Sequence, residues 1–300
     1  MEDRAMKACE CEVSQTLTCF GDSMPMLSII IPTFNSAKTI GRCLGSIENQ
    51  TFSDFEIVIQ DGFSRDRTLD IVHEFHQANS RIEVQTESVT DHGIYDAMNR
   101  AVSRASGAWL YFLGSDDELH DEHVLKAVMS PENVEHSDVL YGNVRVIGDS
   151  DLAAHDSLYD GPFDLPKLLN RNICHQAIFY RADFARLVGR YNQDYRACAD
   201  WDFNFRCWAL SRFKYLDLTV AKFYAGGFTS VNMDEPFSRD VAVNVMRYFK
   251  FSLLNPLVNA PGFVGFSRII DMQRTKGKLH SLSGRAIRRI LRLRGQARIG

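Results

Sequence analysis

Polar residues follow each of four apolar segments in the first 120 residues of this 300-residue chain. The four polar groups are Pro32-Thr33-Phe34-Asn35, the run from Asp61 to Thr68, Asp91-His92-Gly93 and Ser115-Asp116-Asp117. Three of the four groups contain aspartate. Because ligands bind beyond the carboxyl ends of the strands in open α/β sheets, these groups together predict a single ligand site.

Asp116 and Asp117 are adjacent carboxylates, which repel each other unless a cation lies nearby. Mg²⁺ or Mn²⁺ would suit them, since hard cations bind one or two carboxylates together with substrate phosphate oxygens. Such a cation neutralises the charge that develops on a diphosphate leaving group. The alternative is a solvated acidic turn that caps the following helix. The position of the pair after an apolar strand, beside three other polar strand ends, favours the metal site.

Three further positions carry candidate functional groups. Asp61 could accept a hydrogen bond from a nucleobase or a ribose hydroxyl. Asp200 precedes a predicted helix, so it either caps that helix or acts as a general base on an attacking hydroxyl. His175 and Gln176 form a polar pair in an apolar segment. They are either a satisfied buried pair or a contact to phosphate, acceptor or metal, and Trp201 is a further candidate contact.

The first half of the chain alternates between strand and helix patterns. Strands are predicted at 27–31, 55–60, 81–86 and 109–113, and helices at 37–49, 68–78 and 93–104. This alternation is typical of a doubly wound parallel sheet. After residue 120 the regularity weakens to helices at 124–129, 163–170, 183–188 and 201–210, with an antiparallel strand at 139–147. Neither a dinucleotide-binding glycine motif nor a P-loop motif is present.

These motifs, in this order, resemble the family 2 glycosyltransferases with the GT-A fold. Leu27 to Asn35 looks like the opening strand and nucleotide loop of that family, and Asp61 to Thr68 resembles its second nucleotide element. Asp91 to Asn99 resembles the segment under the nucleotide. Ser115-Asp116-Asp117 falls on the metal motif, with Gly114 where many members have the first acid. Ala199-Asp200 matches the Glu-Asp pair that ends in the catalytic base.

The resemblance implies a role for each matching residue. Asp200 is implied as the catalytic base, and Asp117 and Asp116 as the ligands of Mn²⁺ or Mg²⁺. The nucleotide-sugar contacts implied are Pro32, Thr33, Phe34, Asn35, Asp61, Asp91, Gly93, Asn99, Ser115 and Asp116. The implied reaction inverts the anomeric carbon of a nucleotide-sugar donor, with UDP the commonest nucleotide of the family. The implied acceptor is a lipid-linked glycan or glycolipid of cell-envelope polysaccharide synthesis.

Two other functions use the same residues. A metal-dependent nucleotide-sugar phosphohydrolase would use the aspartate pair with water as the acceptor. A non-catalytic nucleotide-sugar-binding module would account for Ala199 in place of the usual glutamate. Nucleic-acid binding is disfavoured, because the body of the chain is acidic and contains no recognition module.

The charge distribution suggests three regions. Residues 1–25 are expected to be a disordered extension. Residues 26–230 form the catalytic domain, with a nucleotide-sugar half at 26–120 and an acceptor half at 121–230. Residues 231–300 form a helical, basic tail, whose last 34 residues hold ten basic residues and one acid although the net charge of the chain is −4.

Two features bear on the location of the protein. Residues 285–294 have the pattern of a basic amphipathic helix, which predicts contact with an anionic membrane surface; the alternative is a solvated helix that packs on the domain. The seven scattered cysteines and the lack of any long apolar run predict a cytoplasmic protein, peripheral on the inner face of the plasma membrane.

Overall fold

The computed structural model describes residues 24–148, 153–226 and 234–249. Its strands are β1 (Leu27–Thr33), β2 (Phe55–Asp61), β3 (Glu83–Ser88), β4 (Trp109–Phe112), β5 (Glu118–Leu119), β6 (Val139–Ile147), β7 (Leu158–Tyr159), β8 (Ile178–Arg181) and β9 (Phe213–Tyr224). Its helices are α1 (Ile40–Glu48), α2 (Thr68–Ala78), α3 (Ile94–Arg104), α4 (Val124–Val128), α5 (Pro131–Val134), α6 (Leu165–Asn170), α7 (Ala182–Val188), α8 (Ala199–Leu210) and α9 (Glu235–Phe249). A short 3₁₀ turn spans His175–Ala177.

The described strands form one mixed sheet in the order β3-β2-β1-β4-β8-β6-β9-β5, with β7 beside β6. The four strands predicted in the first half are parallel, and β8 joins them to the second half in antiparallel pairing with β4 and β6. The two predicted halves therefore share one continuous sheet. This confirms the prediction of a Rossmann-like, mainly parallel sheet with a mixed second half.

Sequence pattern explains why the sheet is covered on both faces. All seven residues of β1 are buried, which is usual for a parallel strand packed on both sides. Side chains of alternate residues point to opposite faces, so Ile30 joins one core while Ile29 and Ile31 join the other. In α1 the buried residues follow helical spacing at Ile40, Cys43, Leu44 and Ile47. The result is a sheet between two helical layers.

Helix α9 packs on α8 and belongs to the core of the catalytic half. Phe237, Val241 and Val245 are buried in the same hydrophobic cluster as Phe203 of α8. The predicted boundary at residue 230 therefore falls before an element that completes this core. Residues 1–23 and the basic segment 285–294 lie outside the described residues. In the described part of the chain, no helix is both long and apolar enough to cross a membrane.

The amino ends of the strands are closed by a buried carboxylate. Glu56 of β2 has no exposed surface and accepts hydrogen bonds from the Ser28 hydroxyl, the Gln85 amide and the backbone N–H groups of Ser106 and Gly107. Gly107 touches β1 so closely that a Cβ atom there would lie 2.5 Å from the backbone nitrogen of Ser28. The amino ends of the strands are therefore closed by structural contacts, and a ligand site would lie at their carboxyl ends.

Replacing Gly107 with alanine should destabilise the fold by about 2 kcal/mol, because the new methyl group must displace backbone rather than a flexible side chain. The control is Gly45→Ala in α1, where no atom lies within 4 Å of the added Cβ. Alanine is favoured over glycine inside a helix, so this variant should be neutral or stabilised by about 0.5–1 kcal/mol. Urea unfolding measures both changes, and equal stabilities for the two variants would contradict the analysis.

Candidate active site

Two loops at the carboxyl ends of β1 and β2 are joined by hydrogen bonds from the predicted motif residues. The Asn35 backbone donates to the Ser64 hydroxyl over 2.7 Å, and the Arg65 backbone donates to the Asn35 side-chain oxygen over 2.9 Å. Asp66 accepts from the backbones of Ala37 and Thr68. Pro32 and Thr33 lie inside β1 and are buried, whereas Phe34 and Asn35 are exposed beyond its end.

Asp61 holds the second loop in place from below. Its carboxylate is fully buried and accepts hydrogen bonds from the Ser64 backbone, the Ser64 hydroxyl and the Ser88 hydroxyl at 2.5–2.9 Å. The resemblance implied a nucleotide contact for Asp61. In this structure its oxygens accept hydrogen bonds from Ser64 and Ser88 and so fix the loop, and the nucleotide contact stays a prediction.

Phe34, Phe63 and Asp91 surround Gly62 at the open side of these loops. The two rings are 61% and 54% exposed, although large apolar side chains are usually covered. A Cβ atom at Gly62 would lie 2.8 Å from an Asp91 carboxylate oxygen and 3.3 Å from the Phe34 ring. Phe63 has a φ of 67°, a conformation that non-glycine residues seldom adopt outside functional sites. The structure thus presents exposed rings and a carboxylate in one place, as a nucleobase requires.

The polar group after β4 is anchored to both neighbouring loops. The Ser115 hydroxyl lies 2.8 Å from the Ser36 hydroxyl, and the Arg42 guanidinium donates to the Asp116 backbone oxygen over 2.5 Å. The same guanidinium lies 3.7 Å from the centre of the Tyr224 ring. Ser115, predicted as a ligand contact, therefore joins the first loop to the aspartate loop.

Asp117 is a buried acceptor. It is 1% exposed, and its two oxygens accept hydrogen bonds from the Tyr224 backbone over 2.8 Å and the Gln176 amide over 2.6 Å. Burial, and next the charge of Asp116, raise the pKa of Asp117 to about 8. Each of its oxygens thus accepts one hydrogen bond from the protein, and its predicted role as a metal ligand stays a prediction.

Asp116 is the member of the pair that is open to a ligand. It is only half-buried, and the described residues provide no hydrogen bond or ion pair to its carboxylate. A Cβ atom at Gly114 would lie 2.8 Å from an Asp116 oxygen and 2.6 Å from an Asp117 oxygen. Both carboxylates therefore lie against the side of Gly114 that a side chain would occupy. The described residues contain no group of three or more His, Cys, Asp or Glu side chains able to hold a metal. Asp116 is a residue that could hold a cation together with substrate oxygens, as Mg²⁺ is commonly bound.

Asp200 lies in the first turn of α8 as a largely buried carboxylate, 14% exposed, with two neutral donors. The Tyr95 hydroxyl donates to one of its oxygens over 2.8 Å, and the Asn172 amide donates to the other over 2.7 Å. Burial raises the pKa of Asp200 to about 6, while these hydrogen bonds oppose the shift. A carboxylate that titrates just below neutral pH is suited to accept a proton from a hydroxyl at neutral pH.

The 3₁₀ turn at residues 175–177 brings the two acidic positions into one site. Gln176 donates to Asp117, and Nδ1 of the preceding residue, His175, lies 4.0 Å from an Asp200 oxygen. His175 and Gln176 are adjacent, so their Cα atoms are about 3.8 Å apart. Asp117 and Asp200 therefore contact neighbouring residues of the same turn. The charges of both aspartates also raise the pKa of Cys174, after the larger effect of its burial. The convergence of separate acidic segments is therefore present.

Three residues predicted to contact a ligand, Asn99, Trp201 and His175, are surrounded by protein groups in this structure. Asn99 is buried and exchanges two hydrogen bonds with the Tyr191 backbone, and the Trp201 indole donates to the Leu168 carbonyl. Both side chains are thus engaged with protein. Both ring nitrogens of His175 are buried without a hydrogen bond, and burial lowers the pKa of His175 to about 4.

Sequence analysis missed Tyr95, Asn172, Arg42 and Tyr224. Tyr95 lies inside the motif segment from Asp91 to Asn99, but its side chain was given no role. The other three do not belong to the polar groups that follow the first four strands, and a lone asparagine or tyrosine carries no motif. Gly93, another predicted contact, is the N-cap residue of α3 with a φ of 115°, and its backbone N–H donates to the Asp91 carboxylate.

Residues 28–215 match the family described as Glycosyl transferase family 2. The chain belongs to this family. It is a glycosyltransferase, and its sheet has the GT-A arrangement of the family. A PGL/p-HBAD biosynthesis glycosyltransferase of Mycobacterium bovis is 43% identical over 219 residues, which cover 71% of this chain and 82% of that protein. A chondroitin synthase of Pasteurella multocida is 30% identical over 65% of this chain and 20% of its own length.

Solved structures share the fold of this glycosyltransferase. Residues 1–349 of TarS from S. aureus, in complex with UDP-GlcNAc, align with a TM-score of 0.60 at 21% identity over 81% of this chain and 80% of that one. The mannosyltransferase PcManGT from Pyrobaculum calidifontis, in complex with GDP-Man and Mn²⁺, aligns with a TM-score of 0.54 at 14% identity over 92% of this chain and 80% of that one. At these identities the likeness concerns the fold alone.

The raised pKa of Asp117 predicts a pH dependence of stability. The folded state binds the Asp117 proton more tightly than the unfolded chain, so the contribution of this group to stability falls as pH rises from the ordinary carboxyl range to about 8. Asp117→Asn should therefore gain stability relative to the parent protein as pH increases. Urea unfolding at pH 5.5 and 8.5, with EDTA present, measures the difference. A difference that is independent of pH would contradict the assignment.

Proposed function

We propose that this glycosyltransferase inverts the anomeric carbon of a UDP-sugar by direct displacement, with Asp200 as the base for the acceptor hydroxyl. The observation that carries the proposal is the shared turn at residues 175–177, which contacts the Asp117 loop on one side and Asp200 on the other. A sugar diphosphate beside Asp116 would then place its anomeric carbon toward Asp200.

The donor nucleotide binds at the open side of the first two loops in this proposal. The exposed Phe34 ring stacks on the base, and the Asp91 carboxylate accepts a hydrogen bond from it. Asp61 acts from below by holding Ser64, which in turn holds Asn35. A uracil base is supported by the TarS complexes, which contain UDP and UDP-GlcNAc.

The diphosphate leaves from the loop that holds Asp116. A divalent cation, Mn²⁺ or Mg²⁺, would neutralise the charge that develops on the leaving diphosphate. Asp116 is the protein group that would hold it, because its carboxylate is half-buried and free of protein donors in the described structure. Arg42 fixes the backbone of Asp116 and so fixes the direction of that carboxylate.

Asp200 removes the proton from the acceptor as the new bond forms. Tyr95 and Asn172 hold its two oxygens in a fixed orientation, which leaves their remaining lone pairs for the hydroxyl. Attack from the Asp200 side, opposite the leaving diphosphate, is one displacement and inverts the configuration. An α-linked donor therefore gives a β-linked product.

The acceptor we propose is a lipid-linked glycan or glycolipid of the cell envelope. Its support is the Mycobacterium bovis relative, which is named for PGL/p-HBAD biosynthesis and aligns over 82% of its length. The basic segment at 285–294 would hold the enzyme at an anionic membrane surface, where such an acceptor is found. Co-sedimentation with vesicles of anionic lipid, with and without residues 267–300, measures this contribution.

Asp200→Asn should lower transfer by at least about a thousandfold, because the amide cannot accept the proton, while UDP affinity stays within severalfold of the parent. UDP release from a panel of UDP-sugars with octyl glycoside acceptors measures transfer, and calorimetry measures affinity. The matched control is Asp202→Asn two residues further along α8, where the carboxylate pairs with Arg206. That variant should lose stability and keep transfer. Full turnover by Asp200→Asn would refute the assignment.

Asp116→Asn should remove the Mn²⁺-dependent part of UDP binding. Loss of an outer contact to a metal ligand typically costs about 10–100-fold in metal affinity, so loss of the ligand itself should cost at least about tenfold. Titration of UDP by calorimetry, with Mn²⁺ and with EDTA, compares the two conditions. Asp121→Asn is the control, since Asp121 accepts a hydrogen bond from the His123 backbone in the next loop, between β5 and α4. An unchanged Mn²⁺ effect in Asp116→Asn would rule out this ligand.

A further inference from the structure

Three polar side chains run in a line behind Asp200. The Tyr180 hydroxyl donates to the Asn204 side-chain oxygen over 2.7 Å, and the Asn204 amide nitrogen donates to the Asn172 side-chain oxygen over 2.8 Å. The Asn172 amide nitrogen then donates to Asp200 over 2.7 Å. Tyr180, Asn204 and Asn172, here called the Asn172 relay, come from β8, from α8 and from the segment before the 3₁₀ turn.

The relay has a direction. A carboxamide has an acceptor oxygen on one side and a donor nitrogen on the other, so each contact fixes the orientation of the next group. Tyr180 has one proton to donate, and it is given to Asn204. If the chain were reversed, the Asn172 oxygen would face the Asp200 carboxylate, and two acceptors would oppose each other. The observed direction is therefore the one compatible with an ionised Asp200.

We propose that the Asn172 relay holds Asp200 in its ionised form by keeping the Asn172 N–H directed at it. The inference rests on the proposed role of Asp200 as the base. Tyr180, Asn204 and Asn172 are positioning residues, since they act through Asp200. Asn172 and Tyr95 divide the task, each donating to a different oxygen of Asp200.

Because the relay is buried, the loss of one of its hydrogen bonds should affect the others. Tyr180 and Asn204 have no exposed surface, so water cannot replace a hydrogen bond that a substitution removes. Hydrogen bonds in a low-dielectric interior are stronger than in water and polarise one another along a chain. A change at Tyr180, three hydrogen bonds away from Asp200, should therefore alter the titration of Asp200.

The groups that face Asp200 do not obscure its titration. They are Tyr95, Tyr159, Cys174, His175, Tyr180, Tyr191 and Cys198. Burial raises the pKa of each of these tyrosines and cysteines above its ordinary value. Burial also lowers the pKa of His175 to about 4. All seven are neutral between pH 5 and 8. The pKa of Asp117 is raised to about 8, so the assigned signals distinguish its titration from that of Asp200.

The test measures the titration of Asp200 by carbon NMR of the full-length protein labelled at aspartate carboxyls, with the Asp200 signal assigned from Asp200→Asn. Tyr180→Phe should raise the midpoint by about 0.5–1 pH unit, the size expected for one hydrogen bond. The acid limb of kcat/KM should move with it, while UDP affinity stays unchanged. Asn204→Leu removes the next member and should give at least as large a shift. Thermal unfolding verifies that each variant is folded.

Tyr159→Phe is the matched control. It removes a tyrosine hydroxyl that donates over 2.7 Å to the backbone oxygen of Asn172, so it loosens the same residue without touching its amide. Its Asp200 midpoint should not move. Equal shifts in Tyr159→Phe and Tyr180→Phe, or no shift in Tyr180→Phe, would overturn the relay. Transfer by Asp200→Asn would instead overturn the base assignment, and because the NMR titration needs no turnover the two failures are distinguishable.

Discussion

The structure depends on two carboxylates, one buried and one largely buried, whose hydrogen bonds come from neutral donors. Asp117 takes them from a backbone N–H and the Gln176 amide, and Asp200 takes them from Tyr95 and Asn172. A buried negative charge is costly unless it is hydrogen-bonded, and a full ion pair would lock it in its charged form. Neutral donors fix the carboxylate oxygens in space without the stabilising charge of an ion pair. The pKa of each carboxyl therefore stays raised, to about 8 for Asp117 and about 6 for Asp200.

The same chemistry serves opposite purposes at the two ends of the sheet. At the amino ends of the strands, Glu56 is enclosed by five donors from β1, β3 and the Ser106–Gly107 turn, so it joins segments and faces no solvent. At the carboxyl ends, Asp116 and Asp91 remain half-buried, beside exposed aromatic rings. The difference lies in the connections, because loops that lead into helices leave room above the strand ends while the tight turn at Gly107 leaves none.

Two departures from the motifs of the family have structural explanations. Gly114 stands where many members have an acid, and a Cβ atom there would meet both Asp116 and Asp117 within 3 Å. Asp116 and Asp117 can both approach residue 114 this closely because glycine has no side chain. Ala199 stands in place of the glutamate that usually precedes the base. It is the first residue of α8, and its side chain is fully buried in the hydrophobic core. Tyr95 and Asn172 are the groups that hold Asp200 here.

The sequence by itself determined the first four strands, the helices between them and the polar loops that follow the strands, and it predicted roles for Asp116 and Asp200. It could do so because a parallel strand buried on both faces is a short apolar run, and polar residues at its end are local in sequence. Only the tertiary structure decided that Asp116 is more exposed than Asp117, that β8 and β9 complete the sheet, and that Tyr95 and Asn172 reach Asp200 across 105 and 28 residues. Those facts depend on contacts between distant segments, and no spacing within one segment encodes them.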